Sequence, residues 1–533
     1  MKSAITRPTS RAWIRLLVVA GLLNALLLSP LWLRFGFAEP RWLAWEAWAL
    51  VGTFALLPDG MWVRVLRWVS VGAVVASLIL GWSDAATHQV LSRSLNLYFD
   101  LNLLSASFHL LDGNLGRPLT VAVFAIVAVL LILLAVLIAA ALRPPQAQSG
   151  TVSKGILIVT CIALVSGALE TISVRWAPAA RTPSLDTLHF QANQLIQTHQ
   201  ARVAFVQATP NQPRPATALP MLADTDVLMV FIESYGATMF EQDRYRQILL
   251  PTLSEMEGEL TARNLTVVSG FMEAPIRGGQ SWLSHATTLS GRWIDNQLWY
   301  RLLLESHANT LIDDFRATGH ETMAVMPAII MPWPEGRQQG FDHIFEARHL
   351  GYQGPPLNWV TMPDQYTLHH FQTVLRPRVP RPLFAQIALI SSHAPWTPII
   401  DLVDWNEVGD GTIFERWRDA GLAPQDLWKD LENVRDHFGR SVEYSVLTSL
   451  DYAVRFLDNK TLLIVMGDHQ PATLISGHQA SGAVPIHVIA HDAALLQPFL
   501  QRGFQKGLVP SSPMAAPKLD QLRDWLQRAF GAP

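Results

Sequence analysis

Four short stretches of this 533-residue chain gather the residue types that handle metal ions and phosphorus. Glu233 closes the apolar run DVLMVFIE. Ser392 and His393 follow LFAQIALIS in SSHAPW. Asp468 and His469 end TLLIVMGD in GDHQP, and Ser281 stands in RGGQSWLSH behind the pair Gly278-Gly279. Two carboxylates and two imidazoles form a donor set suited to a divalent cation. A helix is expected to begin at Gln280 or Ser281 and stop at Gly291, and the free amides of a helix N-terminus favour a phosphate or an alkoxide. Each residue taken singly also reads as an ordinary cap or turn residue. Their convergence is what points to chemistry.

The elements that must bring them together are legible from residue 220 onward. DVLMVFIE (226–233), LFAQIALIS (383–391), TLLIVMGD (461–468) and AVPIHVIA (483–490) are continuous, short apolar runs bounded by turn residues, the pattern of buried strands. Helices are expected in QILLPTLSEMEGEL, LIDDFRATGH, VEYSVLTSLDYAVRFLDN and KLDQLRDWLQRAF. Strands alternating with helices imply an α/β domain around a largely parallel sheet, whose ligands collect beyond the carboxyl ends of the strands. Three of the four strands end in the residues named above.

The composition excludes a disordered or nucleic-acid-coating protein: half the residues are hydrophobic, only 16% are charged, and 40 Lys and Arg nearly balance 43 Asp and Glu. The single cysteine, Cys161, permits no intramolecular disulfide and no Cys-based zinc or redox cluster. The apolar excess is crowded into residues 1–175, where five membrane spans are expected at about 14–34, 42–58, 63–83, 119–142 and 155–174. Arg15, Arg64, Arg67, Arg143 and Lys154 flank them on what would be the cytoplasmic side. An odd number of spans then leaves everything after residue 175 outside. The parity depends on 42–58, which contains Glu46. A cleavable signal peptide ending in GFA is the competing reading of the first segment, but the run is long for one and more spans follow. Residues 94–113, apolar yet carrying acids and a histidine, read as a surface helix or a packed loop. Residues 176–219 read as a linker with a juxtamembrane helix, and 220–533 as an extracytoplasmic α/β catalytic domain.

The ordered motifs FIESYG, GGQS, SSHAPW and GDHQP, with the five-span, linker and domain layout, resemble the alkaline phosphatase superfamily, in particular its sulfatase-like membrane branch of lipoteichoic acid synthases and related phosphoglycerol and phosphoethanolamine transferases. The resemblance implies one divalent metal on Glu233, Ser281, Asp468 and His469, Mn²⁺ being favoured by the likeness while the ligand set also suits Zn²⁺ or Mg²⁺, with Ser281 as nucleophile and His393 on the substrate side. Trp333 and Arg337, in MPWPEGRQQGFD, fall near the family's substrate-contacting Trp and Arg at a different spacing. Arg277 and His478 are further substrate-binding candidates by their position beside the motifs. The family often has Thr where this chain has Ser281, a mild change because both hydroxyls can be activated. The Cys-x-Pro-x-Arg motif of formylglycine sulfatases does not occur, and the disulfides usual in lipid A phosphoethanolamine transferases cannot form.

The implied chemistry is ping-pong transfer: Ser281 attacks phosphorus, His393 serves as general acid or oxyanion partner, and an acceptor hydroxyl resolves the phospho-serine. The donor would be a phospholipid and the acceptor an envelope glycan or lipid, at the bacterial inner membrane on its periplasmic side. A phosphodiesterase or phosphatase with water as acceptor, and a non-catalytic scaffold in envelope polysaccharide assembly, are the competing readings. Neither nucleotide-binding nor zincin nor serine-hydrolase-elbow motifs occur.

Overall fold

The computed structural model describes residues 9–37, 41–91, 93–100, 107–108, 111–112, 115–143, 150–171, 177, 179–208, 216–306, 308–331, 333–379, 382–511 and 515–531. The chain forms two compact units, residues 1–89 with 93–205, and residues 90–92 with 206–533.

The first unit is built on α1 (Thr9–Phe35), β1 (Leu43–Ala44), α2 (Trp45–Leu56), α3 (Met61–Leu91), α4 (Arg117–Ala141), α5 (Gly150–Thr171), β2 (Ala180–Arg181) and α6 (Pro183–Ala208). Among the described residues four helices, α1, α3, α4 and α5, are long and apolar enough to cross a membrane. The fifth expected span, Trp42–Pro58, instead centres on α2, whose 12 residues reach about 18 Å against the roughly 30 Å of a hydrocarbon core. The helices nevertheless alternate in direction. Trp82 bonds Ser29 and Arg34 pairs with Asp84, so α3 runs parallel to α1. Arg15 at the start of α1 bonds the Arg143 carbonyl just past the end of α4. The Trp13 ring lies against Gly155, near the start of α5, while Gly52 meets Thr160 and Trp45 meets Gly167, making α2 antiparallel to α5.

The shortness of α2 has a local cause. Asn24 on α1 bonds the Trp42 carbonyl and the Ala44 amide, and β1 pairs with β2, so an extended stretch precedes the helix. Glu46 then accepts the Ser184 and Leu185 amides at 3.1 and 2.8 Å and caps the first turn of α6. A helix does form within 176–219, as α6. Only parts of the expected surface segment 94–113 fall within the described residues; among them Leu97–Asp100 is a helical turn tied by Arg93 to Asp100.

The second unit is the expected α/β domain. Its eight-stranded sheet has the order β10-β4-β9-β8-β3-β7-β5-β6, with β3 (Asp226–Ile232), β4 (Thr266–Glu273), β5 (Glu321–Met326), β6 (His343–Glu346), β7 (Leu383–Leu389), β8 (Thr461–Gly467), β9 (Ala483–Ala490) and β10 (Gln505–Lys506). Five neighbours, β8, β3, β7, β5 and β6, are parallel; β9 is antiparallel to β8 and β4, and β10 to β4, so the sheet is mixed. Strand alternation builds a core on each face: Leu228, Val230 and Ile232 of β3 enter one, Val227, Met229 and Phe231 the other. The first core is covered by α7 (Asp243–Ala262), α10 (Asp364–His370) and α11 (Leu431–Phe456). The second is covered by α8 (Ser281–Ser290), α9 (Leu311–Thr318) and α12 (Gln521–Phe530).

Candidate active site

Pairing along the parallel strands stops at Ile232, Leu389 and Gly467, and the chain beyond each enters the site. Glu233 and Ser234 follow β3, with Ser234 left-handed at φ 57°. Asp468 and His469 follow β8. The two turns are sewn together: Asp468 Oδ1 accepts the Ser234 amide at 2.8 Å and the His469 amide at 2.6 Å. Gly467 makes this approach feasible, because a Cβ there would lie 1.8 Å from the Tyr235 carbonyl oxygen.

Ser281 is the first residue of α8. Gln280 ahead of it is left-handed at φ 67°, and Gly291 closes the helix at φ 68°, matching the expected start and stop. Ser281 Oγ donates to Glu233 Oε2 at 2.9 Å and lies 3.3 Å from His469 Nε2. His469 Nε2 is in turn 3.3 Å from Glu233 Oε1 and 3.8 Å from Asp468 Oδ2. All three titratable residues are buried, Glu233 at 8% exposure and the others at 1% or less.

The donor set fits a divalent cation. One ligand atom from each of Glu233, Asp468 and His469 lies within 4.8 Å of the others, close to the spread expected of atoms about 2.0–2.2 Å from one ion. His469 Nδ1 is 2.8 Å from the Gln470 carbonyl, which fixes the ring and turns Nε2 toward the carboxylates. The electrostatics agree. Burial raises Asp468 to about 7, reinforced by the charge on Glu233. Burial opposes ionisation of Glu233 too, but His469 overcomes it and holds that carboxyl far below its ordinary range. Burial works against a charged His469, yet Asp468 and Glu233 together lift it to about 9. Two crowded carboxylates thus borrow a cationic imidazole, the charge a metal would supply.

His393 follows β7, with Nδ1 2.7 Å from the Ala394 carbonyl and its ring stacked on Trp359. Its neighbour Ser392 donates to the Glu233 carbonyl at 2.6 Å, tying the His393 turn to the acid. The remaining candidates are distributed differently. Arg277 donates to the Ala480 and Ser481 carbonyls at 2.6 and 2.9 Å, and burial lowers its pKa. His478 is exposed and outside the metal-ligand cluster. Trp333 precedes the short helix Pro334–Gln339, which presents exposed Arg337 on the segment after β5.

Sequence reasoning missed Ser234 and the Ser392 tether; His285, which the sequence offers beside Arg277 as a flank of Ser281 or as a surface residue, is partly buried. His285 lies one turn after Ser281, its ring 4.2 Å from Phe231 and its Nδ1 3.2 Å from Gln386 Nε2. Burial lowers it to about 4.

A family model described as Sulfatase matches residues 225–500, just over half of the chain. The chain belongs to the sulfatase family. Its motifs, its mixed α/β sheet and this match agree on the alkaline phosphatase superfamily. No curated protein matches by sequence. Solved structures similar to it include the C-terminal periplasmic domain of EptC from Escherichia coli, at 16% identity over 60% of this chain and 86% of that one, TM-score 0.38. The phosphoglycerol transferase GacH of Streptococcus pyogenes is similar at 12% identity over 54% and 73%, TM-score 0.34. The lipoteichoic acid synthase LtaP of Listeria monocytogenes is similar at 12% identity over 50% and 66%, TM-score 0.31.

Proposed function

We propose that this protein is a membrane-anchored phosphotransferase that moves a phospho-alcohol head group, phosphoglycerol or phosphoethanolamine, from a phospholipid to an envelope glycan or lipid through a phospho-serine intermediate. The observation that carries the reading is Ser281: a hydroxyl at a helix N-terminus, bonded to Glu233 and in reach of His469. The first-turn amides of α8 favour a phosphoryl oxygen there. Ser281 Oγ, its proton already released to solvent, attacks phosphorus as the alkoxide while the bond to the diacylglycerol oxygen breaks, and Oγ leaves as the alkoxide when the phospho-serine is resolved. His393, as imidazolium, gives the diacylglycerol oxygen its proton. As imidazole it then takes the proton of the acceptor hydroxyl, whose oxygen attacks the phospho-serine and frees Ser281. A divalent cation held by Glu233, Ser281, Asp468 and His469, with Mn²⁺ favoured by the family resemblance, would neutralise phosphoryl charge and lower the pKa of the hydroxyl.

A lipid donor is supported by the surface. Among the described residues of 206–533, eight large apolar side chains are exposed: Met221, Trp282, Ile330, Met331, Leu422, Trp428, Leu474 and Val509. Trp282 adjoins Ser281, Ile330 and Met331 follow β5, and Leu474 follows the GDH turn. The Leu422 carbonyl accepts Thr397 Oγ1 and Trp428 stacks on Trp396, beyond β7. Six of the eight therefore rim the edge that carries the site, as expected where acyl chains must be accommodated. The alternating helix directions and the basic residues at one end, Arg15, Arg64, Arg67, Arg143 and Lys154, favour an odd number of crossings and a periplasmic second unit in a bacterial inner membrane.

The test is mass spectrometry of the Ser281 peptide after incubation with Mn²⁺ and mixed phospholipids. An adduct is expected, absent in Ser281→Ala, and its mass names the head group. Product formed equally with and without acceptor glycans would replace transfer by hydrolysis.

A further inference from the structure

Asp364 is fully buried, and among the described residues no ion pair reaches it. Its carboxylate is instead satisfied by the strand end that leads into the site. Oδ1 accepts the amides of Ile390 and Ser391 at 2.7 and 2.9 Å, and Oδ2 accepts Ser445 Oγ of α11 at 2.6 Å. The Asp364 amide returns a bond to Ser391 Oγ at 2.9 Å. These two amides are the ones the sheet abandons, since β7 pairs with β3 only as far as Leu389. A buried amide needs an acceptor, and a carboxylate fixed at the start of α10 supplies both bonds from one oxygen. The next two residues are Ser392, bonded to the Glu233 carbonyl, and His393, whose own amide closes the turn on the Ile390 carbonyl at 3.0 Å.

We infer that Asp364 is a positioning residue: by clamping the Ile390 and Ser391 amides it sets where His393 presents its ring and where Ser392 holds Glu233. The clamp is directional. Oδ1 faces the site turn and Oδ2 faces α11, so the turn after β7 is referenced to the helix layer beneath it rather than to solvent. This inference rests on the functional reading above for its effect on turnover, while its effect on His393 stands without it.

The experiment uses the full-length protein in detergent, wild type against Asp364→Asn, which keeps one acceptor oxygen, and Ser445→Ala, which removes a single donor to Oδ2. Three quantities are read: the reactivity of His393 toward diethyl pyrocarbonate by peptide mass spectrometry, Mn²⁺ affinity, and kcat and KM for phospholipid head-group release. Asp364→Asn is expected to change His393 reactivity at least about fivefold and to lower kcat about tenfold or more. KM should stay within about twofold, and Mn²⁺ affinity should fall, by less than loss of the Ser392 bond to Glu233 itself produces. Ser445→Ala should shift His393 reactivity and kcat in the same direction by less, and it carries the test if Asp364→Asn does not fold. Unchanged His393 reactivity in a folded variant overturns the inference, whatever happens to turnover. A wild-type protein that releases no head group, alongside altered His393 reactivity in the variant, would overturn the functional reading and leave the positioning role standing.

Discussion

On the side of the site built by β3, β8 and α8, side chains and turns are bonded to one another: Ser281 to Glu233, Asp468 to the Ser234 amide, Ser392 to the Glu233 carbonyl, His469 to the Gln470 carbonyl. On the side beyond β5, Arg337 is exposed on a six-residue helix and Ile330 and Met331 project at 71% and 65% exposure. The contrast separates two tasks. On the proposed function, the groups that would meet a reacting phosphorus are cross-braced, whereas those that would only recognise a head group or an acyl chain are left adaptable.

The strongest way to break this comparison is on the braced side. Ser281→Ala and Asp468→Ala should each lower head-group release by at least about 10³-fold with the fold intact, measured as turnover of radiolabelled phospholipid and as circular dichroism. Retained turnover in either would dissolve the distinction. A second effect lies just beneath. Tyr235 hydroxyl and His487 Nε2 are 2.9 Å apart, and Ser269 Oγ is 2.7 Å from Nδ1, so His487 is buried and satisfied while neutral. Burial lowers it to about 3. Its folded pKa thus lies below its unfolded one. The unfolded state binds the extra proton, so stability is present above about pH 6.5 and falls with acid, by about 2 kcal/mol at pH 5. Urea midpoints between pH 7 and 5 should flatten in His487→Gln relative to wild type.

Ser392→Ala removes the tether on Glu233 while leaving every proposed ligand in place, and should weaken Mn²⁺ binding about tenfold by titration calorimetry. On the open side the effects shrink. Arg337→Ala should raise KM by about two- to fivefold with kcat unchanged, and His478→Ala should stay within about twofold of wild type in both. A loss from His478→Ala as large as that from Ser392→Ala would mean that the exposed loop closes over the site.

What could be read from sequence follows the same division. All four strands taken from continuous apolar runs formed, because β3, β7, β8 and β9 are buried on both faces and leave an unbroken hydrophobic signature. β4, β5 and β6 went unread: TVVSGFME, ETMAVM and HIFE mix polar and apolar residues and gain strand character only through their neighbours. Ser281 was legible from glycines on both flanks of its helix. Asp364 was not, since nothing local distinguishes MPDQY from any helix start, and its bonds reach residues 26 and 27 positions later. In the first unit, hydropathy could not show that Trp42–Pro58 would give up its first three residues to an extended approach clasped by Asn24.

Gly467 bears no functional group, yet the 1.8 Å that separates its missing Cβ from the Tyr235 oxygen makes it as intolerant as any ligand. In a saturation screen it would score with Asp468 and Ser281 for lost activity, and a list of essential positions compiled that way would mix chemistry with clearance. The two are separable by rescue: no added metal, acceptor or pH adjustment restores room for a methyl group, whereas a weakened ligand set responds to a higher metal concentration.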